Sequence, residues 1–310
     1  MLERAQRGRF GPPTPPAALP SGTHRIAAPR APNEELRVTA IGHSSFLLQV
    51  GGLNVLTDPV FSERASPLGW AGPRRRQPPG ITLDALPPID IVLQSHDHYD
   101  HFDDAAVRAI AARHPDSLWC APLGLADLLR ARGVQHVAEL DWWDNFSHGS
   151  AELTCVPAAH FSGRTPFDRD ATLWCGWALS VAGRQIYFAG DTGFHPSFAE
   201  IRVRLGSCDL IFMPVGAYEP RWFMRPVHMD PDDAIEAFAT LTTPPAHTPA
   251  RESVMVGMHW GTFLLTDEAA DEPAARTRAG WTARDWPAER LWMLNPGETR
   301  QLPAPPGSAR

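Results

Sequence analysis

The chain has 310 residues, of which 43% are hydrophobic and 20% are charged, a balance typical of a globular protein with a sizeable core. Its formal net charge of -7 argues against a nucleic-acid-binding surface spread over the whole protein. No apolar run is long enough to span a bilayer, and the first residues lack the apolar centre of a secretory signal. We therefore predict a cytoplasmic protein with at most peripheral membrane contact.

The four cysteines exclude one kind of metal site. Cys120, Cys155, Cys175 and Cys208 are far apart, and no two of them form a C-x-x-C pair. Each lies in an apolar run, so the four thiols are predicted to be buried core side chains. A zinc site built on thiolates is therefore not expected.

The chain divides into a tail and one globular domain. Residues 1–33 are rich in proline, alanine and arginine, a composition that predicts a disordered tail. The arginines of this tail offer an alternative role, as a basic arm for an anionic membrane surface. Residues 34–303 show apolar runs separated by turn residues and are predicted to form one folded domain.

One short loop in this domain concentrates side chains that bind metals. The apolar run Ile91–Leu93 predicts a buried strand. After it comes the run His96-Asp97-His98-Tyr99-Asp100-His101. Alternate side chains leaving a strand point to the same side, so His96 and His98 can hold one ion while Asp100 and His101 serve a second. Imidazole with carboxylate favours zinc or a similar divalent ion in a hydrolytic site.

Three later strand ends each deliver one residue of the same kind. His160 follows the strand predicted at 152–157, Asp191 follows 185–189, and His259 follows 254–258. Two successive runs of strands with interspersed helices predict an α/β fold, an αββα sandwich of two mixed sheets flanked by helices. The site is expected at the edge between the two sheets.

The order His-x-His-x-Asp-His, followed by a histidine, an aspartate and a histidine at later strand ends, resembles the metallo-β-lactamase fold hydrolases. The resemblance implies two zinc ions per chain, although other divalent transition metals would also fit. It implies seven ligands: His96, His98 and His160 for one ion, Asp100, His101 and His259 for the other, and Asp191 as the bridge between them.

The flanking segments bring the resemblance closer to one group within this fold. Glu139–Trp143, Phe188–Gly193, His259–Phe263 and above all Gly216–Met224 are similar to the N-acyl-phosphatidylethanolamine-hydrolysing phospholipases D, which are two-zinc lipid phosphodiesterases. The similarity covers most of the chain from about Val38 onward. It breaks down in the tail, in the insertion-like segment 242–251 and after residue 267.

The closer resemblance implies a reaction, the hydrolysis of N-acyl-phosphatidylethanolamine to an N-acylethanolamine and phosphatidic acid. Tyr99 and His228 fall on the group's substrate-contacting tyrosine and histidine, and His228 could also protonate the leaving oxygen. Asp58, at a strand end, is expected to orient a metal-bound histidine. Asp191, His228 and Asp58 are thus the catalytic candidates. His43, which follows the first strand, is a candidate for a supporting role.

Two other functions remain open. One is a cytosolic hydrolase of a small ester or lactone, which shares the histidine motif but not the Gly216–Met224 segment. The other is a metal-binding, membrane-associating protein without turnover, against which the full ligand set argues.

The proposed substrate also predicts the partners. We expect a membrane phospholipid met through peripheral contact and no nucleic acid, with a homodimer as an open alternative to a monomer. The long loop between residues 61 and 88 carries Arg74, Arg75 and Arg76. Basic residues near an anionic membrane contribute about 1 kcal/mol each, so we expect these three arginines to provide the attachment.

Overall fold

Two seven-stranded sheets packed face to face form the centre of the fold, which the computed structural model describes for residues 26–243 and 252–303. The strands of the first half are β1 (Leu36–Gly42), β2 (Ser45–Val50), β3 (Leu53–Thr57), β4 (Ile91–Leu93), β5 (Leu118–Pro122) and β6 (His136–Leu140). Those of the second half are β7 (Asn145–His148), β8 (Ala151–Val156), β9 (Gly176–Val181), β10 (Arg184–Phe188), β11 (Leu210–Pro214), β12 (Val254–Met258), β13 (Leu291–Trp292) and β14 (Thr299–Leu302).

The first sheet has the order β14-β1-β2-β3-β4-β5-β6 and the second the order β13-β12-β11-β10-β9-β8-β7. Each sheet contains both antiparallel and parallel pairs. The helices of the described residues are α1 (Asp104–Arg113), α2 (Ala126–Arg130), α3 (Ser197–Leu205), α4 (Arg221–Met224), α5 (Pro231–Thr242) and α6 (Glu272–Thr282), with 3₁₀ turns at Leu83–Ala85 and Ala288–Arg290. The predicted αββα sandwich of two mixed sheets is therefore confirmed.

Alternating side chains of β2 show how the layers pack. Phe46 and Leu48 belong to the core between the sheets, where the Phe46 ring lies 4.9 Å from the ring of Phe212. Leu47 points the other way and packs with Val107 in the layer beneath α1. Because both faces of this strand are buried, its sequence is a nearly continuous apolar run.

Two helices next to the site begin at aspartate caps. The Asp103 carboxylate accepts hydrogen bonds from the first backbone N–H groups of α1. Asp230 does the same for α5, and Pro231 occupies the first turn of that helix. These caps fix the points at which the chain leaves the site loops and enters a rigid element.

The predicted boundary of the tail needs correction. Residues 26–33, which were assigned to the disordered tail, lie against the first sheet. The Ala27 backbone exchanges two hydrogen bonds with the buried Gln49 amide, at 2.9 and 2.7 Å, and Arg30 forms an ion pair with Asp90. A buried amide inside a sheet needs such partners, so this part of the tail is folded onto the domain. The rest of the tail and most of segment 242–251 lie outside the described residues.

The three arginines of the loop between β3 and β4 occupy different environments. Arg75 is buried, and its guanidinium donates to the backbone carbonyls of Val60 at 2.6 Å and Ser62 at 3.3 Å. Arg74 is exposed and forms an ion pair with Glu63. Arg75 therefore holds the loop together and cannot face a membrane. No helix in the described part of the chain is long and apolar enough to cross a bilayer.

Candidate metal centre

Five strand ends converge at one edge of the sandwich. In the first sheet, the parallel strands β3 and β4 end at Asp58 and at the loop 96–101. In the second sheet, β10 and β12 end just before Asp191 and His259, and His160 follows β8. The carboxyl ends of parallel strands lie at the same edge of a sheet, so residues far apart in sequence form one site.

His96, His98 and His160 form the first group, which we call the trihistidine cluster. His98 Nδ1 lies 3.0 Å from His96 Nε2 and 3.2 Å from His160 Nε2. The other ring nitrogens of His96 and His160 contact supporting groups: His96 Nδ1 lies 2.8 Å from the Ser95 hydroxyl, and His160 Nδ1 lies 3.0 Å from the Val227 carbonyl. Such contacts fix the orientation and the tautomer of metal-binding histidines.

Asp100, His101 and His259 form the second group, the aspartate cluster. Asp100 Oδ2 lies 3.2 Å from His259 Nε2 and 3.6 Å from His101 Nε2. Behind His101, the buried Asp58 places Oδ2 2.7 Å from His101 Nδ1. The same carboxylate accepts hydrogen bonds from the Ser95 backbone N–H at 2.7 Å and from the Ser95 hydroxyl at 2.6 Å. Asp58 is thus placed to orient one of the predicted ligands.

Asp191 lies between the two clusters. Its Oδ2 is 2.9 Å from His259 Nε2, 3.2 Å from His101 Nε2 and 3.9 Å from His160 Nε2. Its Oδ1 is buried and has no hydrogen-bond partner. One carboxylate therefore contacts both clusters, which is the place that the resemblance gives to the bridging residue.

The two clusters differ in charge. Burial lowers the pKa of each histidine in the trihistidine cluster, so these rings are neutral. Burial opposes protonation of His259 too, but Asp191 and Asp100 outweigh it and raise its pKa to about 9. The same carboxylates raise the pKa of His101 well above its ordinary value. Burial would raise the pKa of Asp100 and Asp191, but the neighbouring histidines hold both well below the usual range.

The donor atoms fit divalent transition-metal ions. They are imidazole nitrogens and carboxylate oxygens only, a set that suits zinc and its neighbours. Neighbouring donor atoms within a cluster are 3.0–3.6 Å apart, the spacing expected of atoms that share one ion at about 2.0–2.2 Å. His101 Nε2 and Asp191 Oδ1 are buried without hydrogen-bond partners, and an ion would satisfy both. The site could therefore hold metal.

His228 lies beside both clusters. Its ring centre is 5.0 Å from that of His160 and 5.3 Å from that of His259. Burial lowers its pKa to about 4, which keeps the ring neutral near pH 7. Its Nδ1 is buried without a hydrogen-bond partner and lies 3.9 Å from Asp191 Oδ2.

Arg221, which the sequence analysis included in a motif without a role, holds His228 in place. Its guanidinium donates to the His228 carbonyl at 2.9 Å and forms ion pairs with Asp230 and Asp233 at the start of α5. The His228 N–H donates to the Met224 carbonyl at 2.8 Å. The distinctive Gly216–Met224 segment thus ends in a short helix that positions this histidine.

Tyr99 lies between His98 and Asp100 in the metal-binding loop, and its side chain contacts Arg164. Its hydroxyl donates to the Arg164 carbonyl at 3.1 Å, and the Arg164 guanidinium lies 4.0 Å from the centre of its ring. The hydroxyl is therefore bound to a loop carbonyl rather than to either cluster. The side chain also packs against the apolar cluster of Val60, Ala65 and Phe263.

His43 is closer to the site than its sequence position indicated. The residue is buried, and its Nε2 lies 3.0 Å from Asp100 Oδ2. Burial and the nearby His259 lower its pKa to about 3. With the aspartate cluster it makes a group of four side chains whose donor atoms all lie within 4.8 Å of one another. The sequence indicated a role at the metal centre only by the position of His43 just after β1, because the predicted ligands also follow strand ends.

Residues 53–260 match the family described as "Beta-lactamase superfamily domain". Together with the αββα sandwich and the histidine–aspartate clusters at the edge of its sheets, this match shows that the chain belongs to the metallo-β-lactamase superfamily and is a metal-dependent hydrolase. The predicted family and the prediction of an enzyme are confirmed.

The chain is also similar to individual known proteins. It is 38% identical over 274 residues to N-acyl-phosphatidylethanolamine-hydrolyzing phospholipase D 1 of Caenorhabditis elegans, which covers 84% of this chain and 74% of that protein. It is 39% identical over 269 residues to an uncharacterized protein of Mycobacterium tuberculosis, covering 85% and 69% of the two chains. A possible metal-dependent hydrolase from Veillonella parvula has a similar structure, with a TM-score of 0.68 at 17% identity, covering 86% of this chain and all of that one.

Proposed function

We propose that the protein is a two-zinc phosphodiesterase of the phospholipase D type, which hydrolyses N-acyl-phosphatidylethanolamine to an N-acylethanolamine and phosphatidic acid. The observation that carries the proposal is the placement of His228 beside both clusters by the Gly216–Met224 segment, in a chain 38% identical to an enzyme named for this reaction. A hydrolase of small esters or lactones would need the clusters but not this support of His228.

The seven predicted ligands would hold two ions, three donors from each cluster and Asp191 between them. Divalent ions in such a site polarise a phosphoryl oxygen and lower the pKa of water, which supplies the nucleophile. Because each cluster offers only three donors besides the shared carboxylate, positions stay open for substrate.

His228 is the residue that would contact the phosphodiester. It is neutral, so one of its ring nitrogens can donate a hydrogen bond to a phosphate oxygen or to the leaving ethanolamide oxygen. The bond from Arg221 to the His228 carbonyl keeps the ring in place during this contact. Tyr99 would join only by exchanging its bond to the Arg164 carbonyl for a phosphate oxygen.

An apolar surface next to the site supports a lipid substrate and peripheral membrane contact. Trp222 is 83% exposed and Phe223 is 63% exposed, on the short helix that leads to His228. Aromatic side chains favour the boundary between headgroups and acyl chains, and they attach a protein without spanning the bilayer. With Arg75 buried, these two side chains are better placed than the three loop arginines to meet the membrane.

A substrate panel tests the proposal. Purified protein loaded with zinc should bind two ions per chain and hydrolyse N-acyl-phosphatidylethanolamine much faster than a phosphomonoester or a lactone. In ¹⁸O water the label should enter phosphatidic acid and not the ethanolamide, because the P–O bond breaks. Rapid lactone turnover without phosphodiester turnover would replace the proposal with the ester or lactone function.

The membrane contact is tested in the same panel with W222S/F223S. This variant should bind lipid vesicles less tightly and lose activity on vesicles while keeping activity on a short-chain soluble phosphodiester. V203S is the matched control, because Val203 is 76% exposed on α3. Equal losses on both substrates would assign Trp222 and Phe223 to the catalytic site or to folding instead.

A further inference from the structure

The ring of His43 is built into the aspartate cluster although it is not among the seven predicted ligands. Its Nε2 lies 3.0 Å from Asp100 Oδ2, and its ring centre is 4.0 Å from that of His259. We propose that His43 is a positioning residue, which holds the Asp100 carboxylate in place for the ion shared with His101 and His259. The inference rests on the two-ion centre proposed above and concerns only the second of its ions.

The backbone of His43 is fixed by hydrogen bonds to the loop that carries His259. His43 has a φ of 59°, a left-handed conformation that is strained for a non-glycine residue. Its N–H donates to the Thr262 hydroxyl at 2.6 Å, and its carbonyl accepts from the His259 N–H at 3.1 Å. The edge of its ring meets Phe263. These contacts join His43 to the loop of a predicted ligand and keep the ring pointed at Asp100.

The Asp100 carboxylate needs such a partner. Asp100 Oδ2 is approached by His43, His259 and His101, at 3.0, 3.2 and 3.6 Å between the oxygen and each Nε2. An ion would occupy the nitrogens of His259 and His101, which leaves His43 as the hydrogen-bond donor to the carboxylate. Groups that orient a ligand in this way typically contribute about 10–100-fold in metal affinity.

A direct bond from His43 to the ion is the competing role. The second ion would then have five protein donors, because Asp191 already adds to the three of the aspartate cluster. A catalytic zinc keeps a position open for water or substrate, and five donors would fill it. The open position of a hydrolase therefore favours the role of hydrogen-bond donor.

Two substitutions separate these roles. Glutamine can donate an amide N–H to Asp100 but is a poor zinc ligand, whereas leucine can neither donate a hydrogen bond nor bind zinc. Both carry a Cβ, so both meet the same left-handed backbone cost as histidine. H195Q is the matched control, because His195 lies four residues after Asp191, packs on Phe198 and accepts the Ser197 N–H without reaching either cluster.

The experiment is a titration of the metal-free proteins with zinc and, for its spectrum, with cobalt(II). Wild type should bind two ions, and H43L should bind the second about 10–100-fold more weakly with the first unchanged. H43Q should stay within a few-fold of wild type for both ions and keep the wild-type cobalt spectrum. H195Q should match wild type throughout.

Three results would overturn the proposal. H43L with wild-type affinity for the second ion would remove any role for His43. H43Q as weak as H43L, with a changed cobalt spectrum, would make His43 a ligand. Wild type that binds fewer than two ions would refute the two-ion centre itself, before any variant is compared. If H43L fails to fold, ¹⁵N spectra of zinc-loaded wild type decide, with the His43 signals assigned from H43Q: a proton on Nε2 is expected, and a bare Nε2 refutes the donor role.

Discussion

The trihistidine cluster and the aspartate cluster lie side by side but are supported by different chemistry. Neutral groups stand behind the first: the Ser95 hydroxyl on His96 and the Val227 carbonyl on His160. Behind the second stands a buried carboxylate, Asp58, on His101. The rings of the trihistidine cluster are neutral. The aspartate cluster is a network of ion pairs, in which protons carry part of the positive charge that a metal ion would supply.

This difference predicts which of the two ions depends more on the residues that support its ligands. Metal must displace protons from His101 and His259, whose pKa values are raised, whereas the neutral trihistidine nitrogens are already free to bind. A buried carboxylate behind a ring stabilises the resulting charge more strongly than a hydroxyl does. The second ion should therefore depend more on its supporting residues than the first.

The largest effect should come from removing the residue that the clusters share. D191N replaces a carboxylate that lies within 4 Å of both clusters by a neutral amide. We expect weaker binding of both ions, by more than the roughly 10–100-fold that a lost supporting bond costs, and loss of hydrolysis. Elemental analysis after dialysis measures this, with circular dichroism to confirm folding. Retention of both ions would show that Asp191 bridges nothing.

A smaller and unequal effect is expected of D58N. Asparagine can still accept from one neighbour, but it loses the charge behind His101 and turns an amide N–H₂ toward the Ser95 donors. The second ion should bind about 10–100-fold more weakly and the first should change less. Zinc titration of the metal-free variant measures both steps. Equal weakening of the two ions would remove the distinction drawn between the clusters.

Most of the central fold could be predicted because its strands are local apolar runs. β4 and β12 were predicted at Ile91–Leu93 and Val254–Met258, as observed. Elements whose formation depends on distant partners were missed. The short β14 pairs Leu302 with Leu36 at the other end of the domain, and α6 has a mixed sequence that includes arginines and a glycine. No local sequence pattern predicts either element.

The site shows the same limit. The histidine loop and the three later strand ends were identified because each is a motif read within a few residues. Arg75 was expected to face the membrane like Arg74 and Arg76, because nothing in a run of arginines distinguishes its members. In the structure its guanidinium is buried and donates to the carbonyls of Val60 and Ser62. The contacts of His43 with Asp100 and of Arg221 with His228 join separate loops, so they follow from the fold and not from spacing.

The smallest effect should come from S95A, which tests the link between the clusters. The Ser95 hydroxyl donates to Asp58 and contacts His96 Nδ1, so it is the only support of His96 that the described residues provide at that nitrogen. Asp58 keeps its bond to His101 and to the Ser95 backbone N–H in this variant. For the first ion the relevant loss is the neutral hydrogen bond at His96 Nδ1, which costs about 1 kcal/mol, or roughly fivefold in affinity. Zinc titration should therefore show a few-fold loss for the first ion and less for the second. The opposite order would mean that the hydroxyl acts mainly through Asp58, and that the charged support governs both clusters.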